Sequence, residues 1–464
     1  VNDISYLIEN KDRIVGIFLT HGHDDHIGGV YHILKEFSVP VYGSKFTMAV
    51  LIDKLKEENF EYNPEMFKVV TSKTAMKIQG TEIRFFEVAH NIPDCLGIAL
   101  KTIEGYIIYT GNFNFDQNSR IDYAHMYRAL AIFAKEGVLA LLTDSLGAEN
   151  DQSRGTILEF KLRITNLISQ ANNRIIFTLF SSDLLRIQQI VDIALEQNKK
   201  IAIIGRKTQR IVNQAMQLGY LSIPEESLAN LRYIDENNKN NDKDLVVLVT
   251  GERHEPYFML QRMAKHIDRL IHLEPTDIVA VLTTPYLGTE KMAARTMDII
   301  YRVTTNVKEF NSKLLPFSSA NREEIKQIIN MLEPKYVIPV IGEYRHQYSM
   351  RIIADCIGFK DDKLIILDNG DIASFIDGEY IGVTGEVPTG EILIDGKAFK
   401  DVSDVVMRDR ELLAKDGLLM ICANINPKTK ALIAGPEIIT KGFTYINDNQ
   451  ELHDEILEIF KKVS

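Results

Sequence analysis

The sequence predicts an α/β protein of two or three domains, with strands that end on residues able to do chemistry. Its 464 residues exceed what one hydrophobic core supports. From Thr156 onward apolar strands and helices alternate evenly, which is the pattern of a parallel sheet. Before that point, short apolar runs stop abruptly on His or Asp, where the active sites of layered α/β folds gather.

The run Ile14–Leu19 reads as a buried strand ending at a histidine cluster, followed by helical spacing over Ile27–Phe37 and a short strand at Val39–Tyr42. Strand patterns recur at Ile83–Val88, Gly97–Leu100, Tyr106–Tyr109 and Val138–Thr143, the last ending on Asp144 and Ser145. The second region reads as helix Ile157–Gln170, strand Arg174–Leu179, helix Asp183–Gln197, strand Lys200–Ile204 and helix Gln209–Leu218. Later strands are Leu245–Val249, Ile278–Leu282 and Val337–Val340, and the polar, Asn-rich stretch Asp235–Asp244 reads as an exposed loop. The tail holds a turn-rich stretch Gly385–Gly396, a charged segment Val405–Leu413, a strand Leu418–Ile425 and an amphipathic helix Leu452–Lys462. The chain begins at Val1 without a methionine, so an N-terminal piece of the natural protein is expected to precede it.

Hydrophobic residues make up 45% and charged residues 25%, the composition of a packed soluble protein. A net charge of −11 does not advertise a nucleic-acid partner, so any such surface must be locally basic. Three scattered cysteines without Cys-x-x-Cys spacing argue for a reducing cytosol and against a disulfide framework or thiolate metal site. No apolar run approaches membrane-spanning length, so a cytoplasmic protein without a membrane partner is expected.

The stretch Thr20-His-Gly-His-Asp-Asp-His26 puts three imidazoles and two carboxylates within six residues, directly after an apolar strand. Imidazole and carboxylate suit Zn²⁺ or Mn²⁺, and a tight turn aims neighbouring side chains at one point. The competing reading, a solvated polar loop, fits the strand–turn–helix context poorly.

This His-x-His-x-Asp-His pattern resembles that of metallo-β-lactamase-fold hydrolases, and the chain as a whole resembles the ribonuclease J family. Phe18–Gly29, His90–Asp94, Thr110–Asp116 and Thr143–Ser145 resemble that family's successive motifs. Arg186–Gln189, Thr250-Gly251 with Glu255-Pro256, and Pro339–Arg345 continue the likeness in order. The resemblance implies a metallo-β-lactamase αββα sandwich with an inserted parallel-sheet β-CASP domain and a partial C-terminal α+β domain. The implied boundaries are 1–155 and 318–393 for the first domain, 156–317 for the insertion, and 394–464 for the linker and the start of the last domain. It further implies that His21, His23 and His90 hold one metal, that Asp25 and His26 serve a second, and that Asp25 takes a catalytic part.

Three departures qualify what the resemblance implies. Where the family has a metal-bridging aspartate this chain has Asn112; where it has a late metal histidine, Ile341; and where it has a histidine for proton transfer, Ser319 within Phe317-Ser-Ser-Ala320. An amide bridges two cations poorly, isoleucine cannot coordinate, and serine does not titrate near neutrality. One metal per chain, Zn or Mn, is therefore expected, with the second site weak or empty. The three histidines then either form an open three-histidine centre or persist only to brace the fold.

Thr250, Gly251, Phe317, Ser318, Ser319 and Ala320 supply hydroxyl and backbone groups for substrate phosphates if the family pattern holds. The basic stretch Lys199, Lys200, Arg206, Lys207 and Arg210 suits a phosphate track and a solvated helix face equally. Tyr106, Tyr109 and Phe113 read as core rather than as base-stacking platforms. Asp144 reads as a support for a metal ligand, with a turn cap as the alternative. The pattern of intact and broken positions resembles a divergent paralogue within the family. The expected function is then RNA binding with weak or absent exonuclease and endonuclease activity in mRNA decay and rRNA maturation, as hetero-oligomer with an active paralogue or as homodimer. The alternative is a competent one-metal ribonuclease.

Overall fold

The computed structural model describes residues 2–115, 123–150, 156–229, 244–285, 288–310, 315, 319–390, 392, 409–410, 412–413, 417–426, 428–429, 432–441 and 450–463. Phe317, Ser318, Asp116, the side chains of Arg206 and Lys207, and most of the 235–244 loop lie outside the described residues, as do parts of the 385–396 and 405–413 segments. The chain separates into two units, Tyr6–Val387 and a second made of Val1–Ser5 with Pro388–Ser464.

Within Tyr6–Val387, strands β1 (Ile17–Phe18), β2 (Val41–Gly43) and β3 (Phe67–Val69) form a small parallel sheet. Strands β4 (Ala75–Ile78), β5 (Thr81–Glu87), β6 (Leu96–Thr102), β7 (Gly105–Tyr109) and β8 (Val138–Asp144) build a larger one, antiparallel up to β7 and parallel from β7 to β8. The two sheets face each other across Phe18, Tyr42, Phe85, Leu96 and Ile98, with Phe18 stacked on Tyr42 at 4.9 Å. Helices cover the outer faces: Val30–Glu36 and Lys45–Glu57 pack their apolar sides on β1 and β2.

After β8 the chain leaves this sandwich and makes a second, all-parallel sheet in the order β10-β11-β9-β12-β13. Its strands are β9 (Ile175–Phe180), β10 (Lys200–Ile204), β11 (Leu245–Gly251), β12 (Ile278–Val281) and β13 (Val307–Glu309). All seven residues of β11 are buried, as a central parallel strand covered by helices on both faces requires. The chain then returns to the first sheet as β14 (Tyr336–Ile341), parallel to β8. The predicted βα rhythm is therefore an insertion between two adjacent strands of one sandwich. Hairpin β15 (Asp371–Ile376) with β16 (Glu379–Glu386) follows.

The strand before the histidine cluster is shorter than the apolar run suggested, Ile17–Phe18 only, because residues 11–13 form a helical turn and Ile14 caps it. The helical spacing over 27–37 resolves into two helices, Asp24–Ile27 and Val30–Glu36, broken at Gly28-Gly29.

The second unit holds an antiparallel pair, β17 (Leu418–Ile425) and β18 (Leu432–Lys441), and the helix Gln450–Val463. No helix among the described residues is long and apolar enough to cross a membrane.

Candidate metal centre

Residues 19–23 leave β1 as a loop, and His23 caps the helix Asp24–Ile27 with extended backbone, so the cluster turns back on itself. His90 arrives from the loop after β5. Nε2 of His21 and Nε2 of His90 both converge on Nδ1 of His23, at 3.0 and 3.1 Å. These histidines form a group whose candidate ligand atoms all lie within 4.8 Å of one another.

One ring nitrogen carries either one proton or one lone pair, so His23 Nδ1 cannot satisfy two Nε2 atoms at once. A cation that takes all three lone pairs removes the conflict. Zn–N distances of about 2.0–2.1 Å give tetrahedral nitrogen–nitrogen edges of about 3.3 Å, close to the two edges seen. His21 Nδ1 lies 3.0 Å from the Thr20 hydroxyl, and with the proton on Nδ1 its Nε2 lone pair faces the group.

Electrostatics agree with a ligand set. Burial, followed by the neighbouring His90, His23 and His26, holds His21 well below the ordinary histidine range. Burial brings His23 down to about 4 against the pull of Asp25, and it also lowers His26 against Asp25 and Asn112. These imidazoles are neutral at pH 7 and need not shed a proton to bind a metal.

Beside this group lies the position expected to serve a second metal. Thr110, Gly111 and Asn112 follow β7, and Gly111 takes a positive φ of 61° with the Thr20 side chain about a Cβ contact away. The Asn112 amide nitrogen donates to Asp144 Oδ2 at 2.8 Å and lies 3.4 Å from Ser319 Oγ. Asn112 beside His26 favours the charged form of that imidazole, against the larger effect of burial. Asp144 also accepts the Leu146 N–H at 2.8 Å, and burial nevertheless pushes its carboxyl up to about 6. Asn112, Asp144 and Ser319 thus form one hydrogen-bonded group. The Asp25 carboxylate is 78% exposed, with Oδ2 3.6 Å from His26 Nε2. Ile341 contributes a backbone carbonyl only, and this accepts both the N–H and the hydroxyl of Ser145, at 2.9 and 2.6 Å.

Tyr109 ends β7 beside this group. Burial, then Asp144 and Asp25, push its phenol up to about 12. It packs on the core that includes Phe85 and Leu96, as expected. Tyr106 and Phe113 are fully buried core residues, as expected.

Among the residues expected to meet phosphate, Thr250 is buried and donates its hydroxyl to the Ile204 carbonyl, while the Gly251 carbonyl accepts from Ser181 N–H. Ser319 and Ala320 are buried against residues 145–148. A Cβ on Gly147 would stand 1.9 Å from the Ala320 carbonyl oxygen. Gly147→Ala must therefore push Ser319 and Ala320 aside, and a loss of about 1–3 kcal/mol in urea denaturation is expected. In the basic stretch, Arg210 pairs with Glu57 and Asp53, and Lys199 with Asp244 at 3.0 Å. Those two cations are partly neutralised.

Comparison with known proteins follows the same division of the chain. Residues 4–99 match the metallo-β-lactamase superfamily, 172–300 the ribonuclease J β-CASP domain, and 405–463 the ribonuclease J C-terminal domain. The chain is 35% identical over 463 residues to ribonuclease J2 of Bacillus subtilis, covering 100% of this chain and 82% of that one. It is 33% identical to ribonuclease J 2 of Staphylococcus aureus strain NCTC 8325, with the same coverage. The chain belongs to the ribonuclease J family. Its first sandwich is the metallo-β-lactamase domain and its parallel sheet the β-CASP domain. The metallo-β-lactamase family implies a metal cofactor, and the His21–His23–His90 donor set fits one. A solved structure from Enterococcus faecalis V583 aligns at TM-score 0.49 and 15% identity over 70% of this chain and 75% of that one.

Proposed function

We propose that this ribonuclease J-family chain binds RNA as the weakly active or inactive partner of an active paralogue, with a single metal on His21, His23 and His90. The observation that carries the reading is Asn112. Its amide nitrogen donates to Asp144 Oδ2 at 2.8 Å, so where a carboxylate would bridge two cations a neutral side chain presents a donor to a carboxylate. Ile341 adds no donor, and Ser319 supplies no group that titrates near neutrality.

A zinc or manganese ion on the three histidines would supply Lewis acidity and an activated water. The chain's own residues do the rest. Thr20 hydrogen-bonds the His21 ring, Asn112 donates to Asp144, and the Ser319 hydroxyl, buried beside Asn112, completes that neighbourhood. Without a second cation only one side of a phosphodiester is clamped, so binding outlasts cleavage.

A second reading, a competent one-metal ribonuclease, draws support from the convergence of the three nitrogens. Assay on 5′-monophosphorylated RNA with Mn²⁺, beside His21→Ala/His23→Ala, separates the two. We expect RNA binding that survives those changes, little cleavage, and about one metal equivalent per chain. Robust cleavage abolished by the histidine changes would overturn the partner reading. Co-purification with the active paralogue should also survive them; its loss would give the histidines a structural role in assembly.

A further inference from the structure

The loop that carries His90 is held from the β-CASP domain at two points, and both come from one packed body. Leu185 N–H, in the first turn of the helix Leu184–Glu196, donates to the Asn91 carbonyl at 3.2 Å. The Tyr220 hydroxyl, just beyond the helix Arg206–Gln217, donates to Asp94 Oδ2 at 2.7 Å. Gln188 ties the two points together, since it accepts the Ser222 N–H at 2.7 Å and donates to the Ser222 carbonyl at 3.1 Å.

Asp94 sits at the junction. The same Oδ2 accepts the Phe46 N–H at 3.1 Å, at the start of the helix Lys45–Glu57, and Tyr220 lies edge-to-face on Phe46 with ring centroids 5.6 Å apart. Its φ is +63°, a conformation that a non-glycine residue holds only when its surroundings enforce it. Two residues later the chain is pinned to the cluster itself, where Leu96 N–H donates to the Thr20 carbonyl at 2.8 Å. The loop between His90 and Leu96 is thus anchored to the histidine cluster at one end and to the β-CASP domain through Asp94.

We infer that Tyr220 and Asp94 are positioning residues for the metal centre: the hydrogen bond between them makes the β-CASP domain a support for His90 and so for the metal. The inference rests on reading His21, His23 and His90 as that centre. A partner that holds a metal ligand in place through hydrogen bonds commonly changes metal affinity by about 10–100-fold. Asp94 acts one step further away, so the lower end applies.

The test is Zn²⁺ titration of the metal-stripped full chain against a chromophoric chelator, with the visible absorption of the Co²⁺-loaded chain as a report on ligand geometry. Tyr220→Phe and Asp94→Gly, the latter keeping the positive φ free of strain, are expected to weaken Zn²⁺ binding roughly tenfold and to change the Co²⁺ spectrum. Asp94→Asn retains an acceptor and tolerates the same φ, so it should restore most of the affinity. Tyr257→Phe is the control. It removes an equivalent buried hydroxyl, donated to the Thr283 carbonyl at 2.9 Å in the same β-CASP domain away from this loop, and should leave Zn²⁺ affinity as it was. Wild-type affinity in Tyr220→Phe, or an equal loss in Tyr257→Phe, would overturn the proposal while leaving the metal centre standing. Failure of the wild-type chain to bind Zn²⁺ would remove the metal centre itself and the proposal with it.

Discussion

Replacing Asn112 with Asp and Ile341 with His together is expected to raise metal content from about one to about two equivalents and cleavage of 5′-monophosphorylated RNA roughly 100-fold or more. Charge and lone pairs set this expectation. In the present chain the Asn112 amide nitrogen points at Asp144 2.8 Å away, so that side of residue 112 repels a cation as effectively as it satisfies the carboxylate. A carboxylate at 112 reverses this and offers oxygens to both metals, while an imidazole at 341 supplies the donor that isoleucine lacks. The single change Asn112→Asp is expected to behave differently. It places a second carboxylate beside Asp144, already pushed up to about 6 by burial, with no added ligand to help fix a cation there. The metal-free single variant should therefore be less stable than wild type above pH 6 and should recover when Mn²⁺ is added. Metal analysis and RNA cleavage measured on the same preparations decide the matter. A double variant that still holds one equivalent would show that Asn112 and Ile341 do not limit the second site.

Parts of the site are legible in the sequence and parts are not. The histidine cluster was legible because its ligands are nearly contiguous and follow an apolar strand; local chain geometry alone brings His21 and His23 together. The βα insertion was legible because buried parallel strands such as β9 and β11 are nearly unbroken apolar runs. Asn112, Asp144 and Ser319 are different. They lie on three separate segments, up to 207 residues apart, and only resemblance to a family could suggest that they meet. Neither pattern nor resemblance revealed what Asn112 does there. Which way its amide faces is decided by Asp144, which accepts its N–H. The Tyr220–Asp94 contact spans 126 residues and carries no local signature at all. The helix Lys45–Glu57 was missed although Ser44, which accepts the Thr47 N–H, marks its start.

Acid should destabilise the metal-free chain, and Asp144→Asn should steepen that loss. His23 titrates at about 4 in the fold against an ordinary 6.5, because burial penalises its charge. The unfolded chain therefore binds protons first. The stability contributed is complete above pH 6.5 and is lost as pH drops towards 4. His21 and His26 are lowered as well and act in the same direction. Asp144 has the opposite sign. Its carboxyl, pushed up from 3.8 to about 6, holds a proton more tightly in the fold, so its ionisation costs stability above pH 6 and the cost is relieved as pH falls towards 3.8. In the wild-type chain this relief offsets part of the histidine loss within the same window. Asp144→Asn keeps an acceptor for the Asn112 amide but cannot take up the proton. Relative to wild type, the variant should lose on the order of 1 kcal/mol between pH 7.5 and pH 5, measured by urea denaturation of EDTA-treated protein. Zn²⁺ at about 100 times its Kd should add about 2.7 kcal/mol at pH 7.5 and progressively less in acid, since the same imidazoles must stay neutral to bind it. Parallel pH profiles for wild type and Asp144→Asn would mean that Asp144 is ionised in the fold across the whole range, and the hydrogen-bonded group around Asn112 would then be an ordinary ion-supported turn.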